Sequence, residues 1–352
     1  MTACSGSPSV APIPEAVSLA SSPGQYLYVA NYGAGYIRQA RPEDLAARRQ
    51  QRRLLDQSSS ASITVYPAAA SGNVAPLRTI AGPNTLLSMP NQLAEDSAGY
   101  LYVADESSGI LVFAPGANGD ATPVRQIAGA AQTDVTTGVA VDGAGTMYVG
   151  VCCTNPEGQG DVLRYALNAS GNVTPQAVVA SGDVWNLTMD TTSGLLIVGH
   201  QACCASTATE GVGVFKPTPG GLVSVASIGL LSPEGIVADP ASGTYLVVAN
   251  GFDTNGSAIV RFAETASGSF PYDGYTSGLP TVISALNVSA CATALANDGN
   301  GSIYLGITPG CSTTPSSVAV YGLAATGMAS PRRLIAGPNT GLDNPSGLVV
   351  GR

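Results

Sequence analysis

The sequence predicts an all-β fold: a six-bladed β-propeller of four-stranded antiparallel blades, with one helical insertion in the first blade. Three repeating signals carry that expectation. The run Gly72-Asn73-Val74-Ala75-Pro76-Leu77-Arg78-Thr79-Ile80-Ala81-Gly82-Pro83-Asn84-Thr85 returns in degenerate form over residues 327–340, and again from Gly119 through Pro123 and Arg125 to Gly129. Ile80 and Ile335 are 255 residues apart, or five periods of about 51, a spacing suited to propeller blades. An Asp, a short Gly-containing turn and an apolar strand recur at Asp96, Asp142, Asp190, Asp239 and Asp298, with a degenerate first copy before Tyr26. A third strand follows each, at residues 63–66, 110–113, 162–165, 212–215, 259–262 and 318–321. Each marker gives six units.

Within a unit the expected order is strand, Asp/Gly hairpin, strand, loop, strand, then an outer strand ending near Ile-Ala-Gly. The hairpins call for Gly and Asp because positive φ is costly for other residues. Ser62-Ile63-Thr64-Val65-Tyr66 alternates polar and apolar residues, as a strand with one outward face would. The C-terminal Pro345-Ser346-Gly347-Leu348-Val349-Val350 matches an innermost strand with no partner after it. It is expected to complete the first blade beside Tyr26–Ala30, with residues 16–20 as the competing occupant.

Composition narrows the class. Of 352 residues 45% are hydrophobic and 11% charged, with Gly 43 and Pro 24, which suits many short strands and tight turns. A net charge of -9 argues against a nucleic-acid partner, whose phosphates need clustered Lys and Arg. No apolar run reaches the roughly 18 residues of a membrane-spanning helix. Residues 1–23 read as a lipobox-like remnant and tether, with small residues before Cys4, the candidate lipidation site. The propeller is assigned to residues 24–350. This places the chain in the bacterial cell envelope, periplasmic or lipid-anchored at the outer membrane, or secreted, and the only membrane contact expected is through Cys4.

The remaining six cysteines, Cys152, Cys153, Cys203, Cys204, Cys291 and Cys311, are an even number in an exported chain and read as disulfides. Cys291 and Cys311 flank the first two strands of one blade and are expected to pair. The connectivity of the other four stays open, and a metal–thiolate cluster is the sharper alternative, weakened by the lack of Cys-x-x-Cys spacing. Loops after second strands and segments before first strands lie at one end of every blade, so the thiols and His200 share that face. The insertion, about residues 36–60, also belongs there. Six of the 13 Arg lie between Arg38 and Arg53, in a stretch of good helix formers opened by acids and closed by arginines. A solvated helix, a lid and a docking element for an acidic partner all fit it.

Polar candidates for the channel mouth are Asn91, Gln92, Trp185, Asn186 and Glu234 at the starts of inner strands. Asp105, His200 and Asn250 stand at the ends of second strands. Gln92 and Asn186 take the place that Gly138, Gly235 and Gly347 hold in other repeats, so they are expected to project into the channel.

The repeat, with its GNVAP, IAGPNT and LYVAN-like runs, resembles the NHL-repeat propellers, especially bacterial extracytoplasmic ones, over about residues 24–350. That resemblance implies the fold and leaves activity open. Related propeller enzymes include peptide-amidating lyases and virginiamycin-B-type lyases, both dependent on His, of which this chain has one. Senescence-marker-type gluconolactonases hold a divalent cation with a Glu, Asn and Asp ring, which Glu234, Asn186 and Asn91 imitate in part. No phosphate loop, nucleophile elbow or paired catalytic carboxylates emerge. The expected function is therefore a non-catalytic extracytoplasmic binding or scaffold propeller with no cofactor. Its contact surface for a protein, glycan or small molecule would be the Cys-bearing face. The alternative is a cation-dependent lactonase- or lyase-like enzyme, using Ca²⁺ or another divalent cation at the same mouth.

Overall fold

In the computed structural model, the residues described are 24–33, 60–128, 135–152, 160–180, 183–201, 210–230, 232–250, 257–269, 282–288, 291–309 and 315–352. Cys4, residues 36–59 of the insertion, Cys153, Cys203, Cys204 and Cys311 lie outside them.

Six antiparallel sheets form the blades. Blade 1 holds β1 (Tyr26–Asn31), β2 (Ser62–Pro67) and β3 (Arg78–Ile80). Blade 2 holds β4 (Pro90–Glu95), β5 (Leu101–Asp105), β6 (Gly109–Phe113) and β7 (Arg125–Ile127). Blade 3 holds β8 (Val135–Val141), β9 (Thr146–Cys152), β10 (Asp161–Ala166) and β11 (Ala177–Ala180). In blade 4 the strands are β12 (Val184–Asp190), β13 (Leu195–His200), β14 (Gly211–Thr218) and β15 (Gly221–Gly229). Blade 5 has β16 (Pro233–Asp239), β17 (Thr244–Asn250) and β18 (Ser257–Ala263), then the short β19 (Gly268–Ser269) and the outer β20 (Val282–Val288). Blade 6 has β21 (Cys291–Asn297), β22 (Ser302–Thr308), β23 (Ser317–Gly322) and β24 (Arg333–Ala336). The last strand, β25 (Pro345–Gly351), pairs antiparallel with β1 from Tyr26↔Gly351 to Asn31↔Pro345 and supplies the innermost strand of blade 1. Closing the wheel with the chain's end removes the open sheet edges that a linear stack would leave.

The hairpin Asp is explained by backbone chemistry. Asp96 Oδ1 accepts the N–H groups of Ala98 and Tyr100 at 2.9 and 3.0 Å, and Asp142 and Asp298 do the same for the residues two and four positions on. Each holds a turn whose glycine (Gly99, Gly145 or Gly301) has φ between 81° and 92°.

The GNVAP/IAGPNT repeat is an interblade clasp. Gly72, Gly119 and Gly171 make parallel bridges to Ile335, Ile80 and Ile127 on the preceding blade's outer strand, and β19 pairs with β15 in the same sense. Asp120 accepts from both the backbone and side-chain amide of Asn84, at 2.7 and 2.8 Å, and Asn73 accepts the Asn339 N–H at 2.8 Å.

One expectation needs correcting. The alternation in residues 62–66 does not separate core from solvent, since all five are buried. Both faces of a blade pack on neighbours, so polar positions such as Thr64 are satisfied internally, here by Asn31 at 3.1 Å. The core is accordingly a series of apolar wedges between adjacent blades, such as Leu101, Val103 and Phe113 of blade 2 against Tyr28 and Ile63 of blade 1.

Candidate functional site: the ring of bulges at the channel mouth

Each innermost strand is bulged against its neighbour near its start, in all six blades. The residues left out of the ladder are Asn91, Thr137, Trp185, Glu234 (with Gly235), Thr293 and Ser346. A bulge turns one side chain away from the pleat, so six side chains ring the mouth. Three of the six positions hold hydroxyls that tie each blade to the next. Thr137 donates to the Val184 carbonyl at 2.7 Å, Thr293 to Pro345 at 2.5 Å and Ser346 to Pro90 at 2.6 Å.

The other three are the polar candidates. Trp185 Nε1 donates to Glu234 Oε2 at 3.0 Å, joining blades 4 and 5. Glu234 is 6% exposed, and its Oε1 accepts from Gln201 Nε2 at 2.8 Å and Ser232 Oγ at 3.2 Å. Ser232 in turn donates its N–H to Glu210 at 2.8 Å. Asn91, half-buried, occupies the bulge of blade 2.

Gln92 and Asn186 sit one residue further in. The Gln92 amide donates to the Leu187 carbonyl at 2.7 Å, while its oxygen accepts N–H groups from Val139 and Leu187 at 3.1 and 3.2 Å. One side chain thus reaches past blade 3 to blade 4. The matching position of blade 3 is glycine, and a Cβ on Gly138 would lie 2.7 Å from Gln92 Oε1 and displace the amide from its bonds. Asn186 Nδ2 donates to the carbonyls of Pro233 and Glu234, and its Oδ1 is buried without a partner.

Second-strand ends line the same rim. Asp105 is fully buried and takes four backbone N–H bonds, from Ser88, Met89, Ser107 and Ser108, at 2.8–3.0 Å. Burial pushes its carboxyl above the usual range while the four amides favour the charged form. It organises two loop segments and leaves few lone pairs for a ligand. The His200 ring meets Phe215 edge-on at 6.4 Å, and its Nδ1 is buried without a partner. Burial lowers its pKa to about 4, so it is neutral at pH 7. Asn250 ends β17, one step beyond the strand-end position of the other blades, and its side chain lies outside the described residues.

Cys152 ends β9 and Cys291 begins β21, both at this end of the wheel and both buried. Each is in disulfide form, with its pairing outside the described residues. Among the described residues no group of three or more His, Cys, Asp or Glu side chains is placed to hold a metal. No helix among them is long and apolar enough to cross a membrane. An open cleft lies between blades 3 and 4 at the opposite end, bordered by Asp142, Tyr148, Arg164 and Thr218.

Sequence reasoning singled out Asn91, Trp185 and Glu234 but missed that they share one structural position with Thr137, Thr293 and Ser346. It also missed Gln201, Ser232 and Glu210. The available signal was the residue just before Gly138, Gly235, Ala294 and Gly347, or before Gln92 and Asn186 where those replace the small residue.

The molecule is a six-bladed β-propeller. No protein-family model matches the chain, and no curated protein matches it. Solved structures do. A protein of unknown function from Bacteroides caccae is similar at a TM-score of 0.55 and 12% identity, covering 93% of this chain and 99% of the other. The PQQ-bound aldose sugar dehydrogenase of Streptomyces coelicolor gives 0.51 and 16% over 75% and 85% of the chains. A candidate 6-phosphogluconolactonase from Bacteroides fragilis gives 0.50 and 12% over 94% and 85%. At these identities the likeness establishes the fold alone.

Proposed function

We propose that this chain is a non-catalytic extracytoplasmic propeller of NHL-repeat type that presents its Cys-bearing face as a rigid contact surface. The partner class is a protein, glycan or small molecule of the cell envelope, and Cys4 is the lipid anchor. A Cys291–Cys311 disulfide stiffens the rim of blade 6.

The observation that carries the reading is how the polar mouth residues are used. Gln92, Asn186, Trp185, Glu234, Thr137, Thr293 and Ser346 all hydrogen-bond from one blade to another. Groups fixed this way pre-organise a surface, since most of their polar atoms are already engaged between blades rather than aimed at a ligand. The enzymatic alternative rests on Glu234, whose two oxygens already accept from Trp185, Gln201 and Ser232.

The test is turnover of aldonolactones and aldoses by the purified protein, with and without added Ca²⁺ or Zn²⁺. No turnover above background is expected. Metal-dependent turnover that disappears in Glu234→Gln would replace this reading with the enzymatic one. Cys4→Ser should move the protein from the membrane to the soluble fraction of envelope preparations.

A further inference from the structure

At the end of the wheel opposite the channel mouth, five of the six blade junctions share one electrostatic device. Arg78, Arg125, Arg164, Arg261 and Arg333 stand at one register position, on the third or fourth strand of their blades. Four of them donate to a carbonyl at or just past the end of the third strand of the following blade. Arg164 reaches Thr218 at 2.8 Å, Arg261 reaches Leu323 at 2.9 Å and Arg333 reaches Ala68 at 2.5 Å, while Arg125 bonds Leu167. Arg78 lies over the rings of Tyr26 and Tyr28 at 5.3 and 5.7 Å. Hairpin acids sit beside these cations: Arg261 pairs with Asp239 at 2.6 Å, and Tyr102 bridges Arg125 to Asp96.

The junction between blades 4 and 5 breaks the rule in three ways at once. Its register position carries Ile197, Val214 and Ala226, with no cation. Glu264 replaces the uncharged residue that follows the third strand elsewhere. Tyr245 stands where the other blades have Leu27, Leu101, Met147, Leu196 and Ile303. The result is a close acid pair: the Asp190 and Glu264 carboxyls interact across the junction with Ser193 beside both, and Asp190 Oδ1 accepts the N–H groups of Thr192 and Ser193 at 2.7 and 3.2 Å. Asp190 and Glu264 are 1% and 6% exposed. Among the described residues no Lys or Arg pairs with either. Asp190 Oδ2, Glu264 Oε1 and the hydroxyl of the fully buried Tyr245 have no hydrogen-bond partner, and Tyr245 feels the charge of Glu264.

Two carboxylates in contact cannot both stay ionised without a positive charge between them. Carboxylate and hydroxyl oxygens are hard ligands suited to calcium. We propose that Asp190, Glu264, Ser193 and Tyr245 bind a hard divalent cation of the calcium class, which joins blade 4 to blade 5 where arginine joins the other blades. The exposed Ser193 side of the hairpin is the entry route.

The experiment uses the full chain stripped with chelator, then titrated with Ca²⁺ while thermal unfolding is followed. Tb³⁺ emission sensitised by Tyr245 serves as a second readout. Saturating Ca²⁺ should raise the Tm by roughly 2–5 °C. Glu264→Gln keeps the size of the side chain while removing its charge, and should lose both the Tm rise and the terbium signal while retaining its β-sheet circular dichroism. Should that variant fail to fold, Tyr245→Phe preserves the ring packing and should weaken the Ca²⁺ response several-fold and lose the sensitised emission. An indifferent wild-type protein overturns the proposal, as does an undiminished response in the variants. Stability that increases on acidification and ignores Ca²⁺ means that a shared proton alone neutralises the pair, and that too overturns it.

Discussion

Single residues hold this wheel together through backbone groups they reach on other blades. Gln92 is the clearest case, since its one amide serves three backbone groups on blades 3 and 4. Replacing it with Ala strips partners from groups at the channel, at a cost of about 2–4 kcal/mol. Urea denaturation should show that loss, with the slope of the transition unchanged. His200 gives a pH signature. Its folded pKa of about 4 lies below the ordinary 6.5, so the unfolded chain binds the proton more readily. Its contribution is therefore complete above pH 6.5 and is lost as pH falls toward 4, by roughly 2–3 kcal/mol. His200→Gln should flatten the difference between denaturation curves at pH 7.5 and pH 4.5 relative to wild type.

At the scale of elements, the repeat that reads so clearly in the sequence is a joint between blades. Asp120 belongs to blade 2 by chain order but caps the Pro83–Thr85 turn that follows blade 1. Asp120→Ala should cost about 1 kcal/mol, because the contact is exposed and partly replaced by water. Amide exchange provides the check: protection should fall in β3 and at Gly119, which the parallel bridge connects, before it falls in β5 or β6. The polar alternation of β2 is a related case. Thr64 looks like a solvent-facing residue, but the neighbouring blade covers it and Asn31 of its own blade donates to its hydroxyl.

For the whole molecule, closure is the decisive event. β25 returns from the C-terminal end of the chain to pair with β1 near its start, and its Leu348 is 5% exposed within the wedge shared with Leu27 and Val29. Removing residues 345–352 would leave β1 as an open edge and expose the wedges on both sides of blade 1. The truncated chain should lose its cooperative thermal transition and self-associate, as light scattering and calorimetry would show. A transition identical to that of the intact chain would mean that another segment closes the ring.

The sequence alone determined the number of blades and the course of the second and third strand of each, and it offered residues 345–350 for the closing slot against residues 16–20, a choice that the pairing with β1 decided. These rest on local signals: turn glycines, hairpin aspartates and apolar runs at a fixed period. It also marked Gln92 and Asn186 through their departure from glycine, and put Asn91, Trp185, Glu234, Asp105 and His200 at one rim. Only the tertiary structure decided what those residues do. The shared bulge position, the burial that keeps His200 neutral and the four amides on Asp105 all depend on which blade lies beside which. The arginine columns and the acid pair at the fourth junction are set by strand register, which shifts where hairpins differ in length by one residue. Local patterns encode the modules, while the partner of each polar atom is fixed by contacts made only once the wheel is closed.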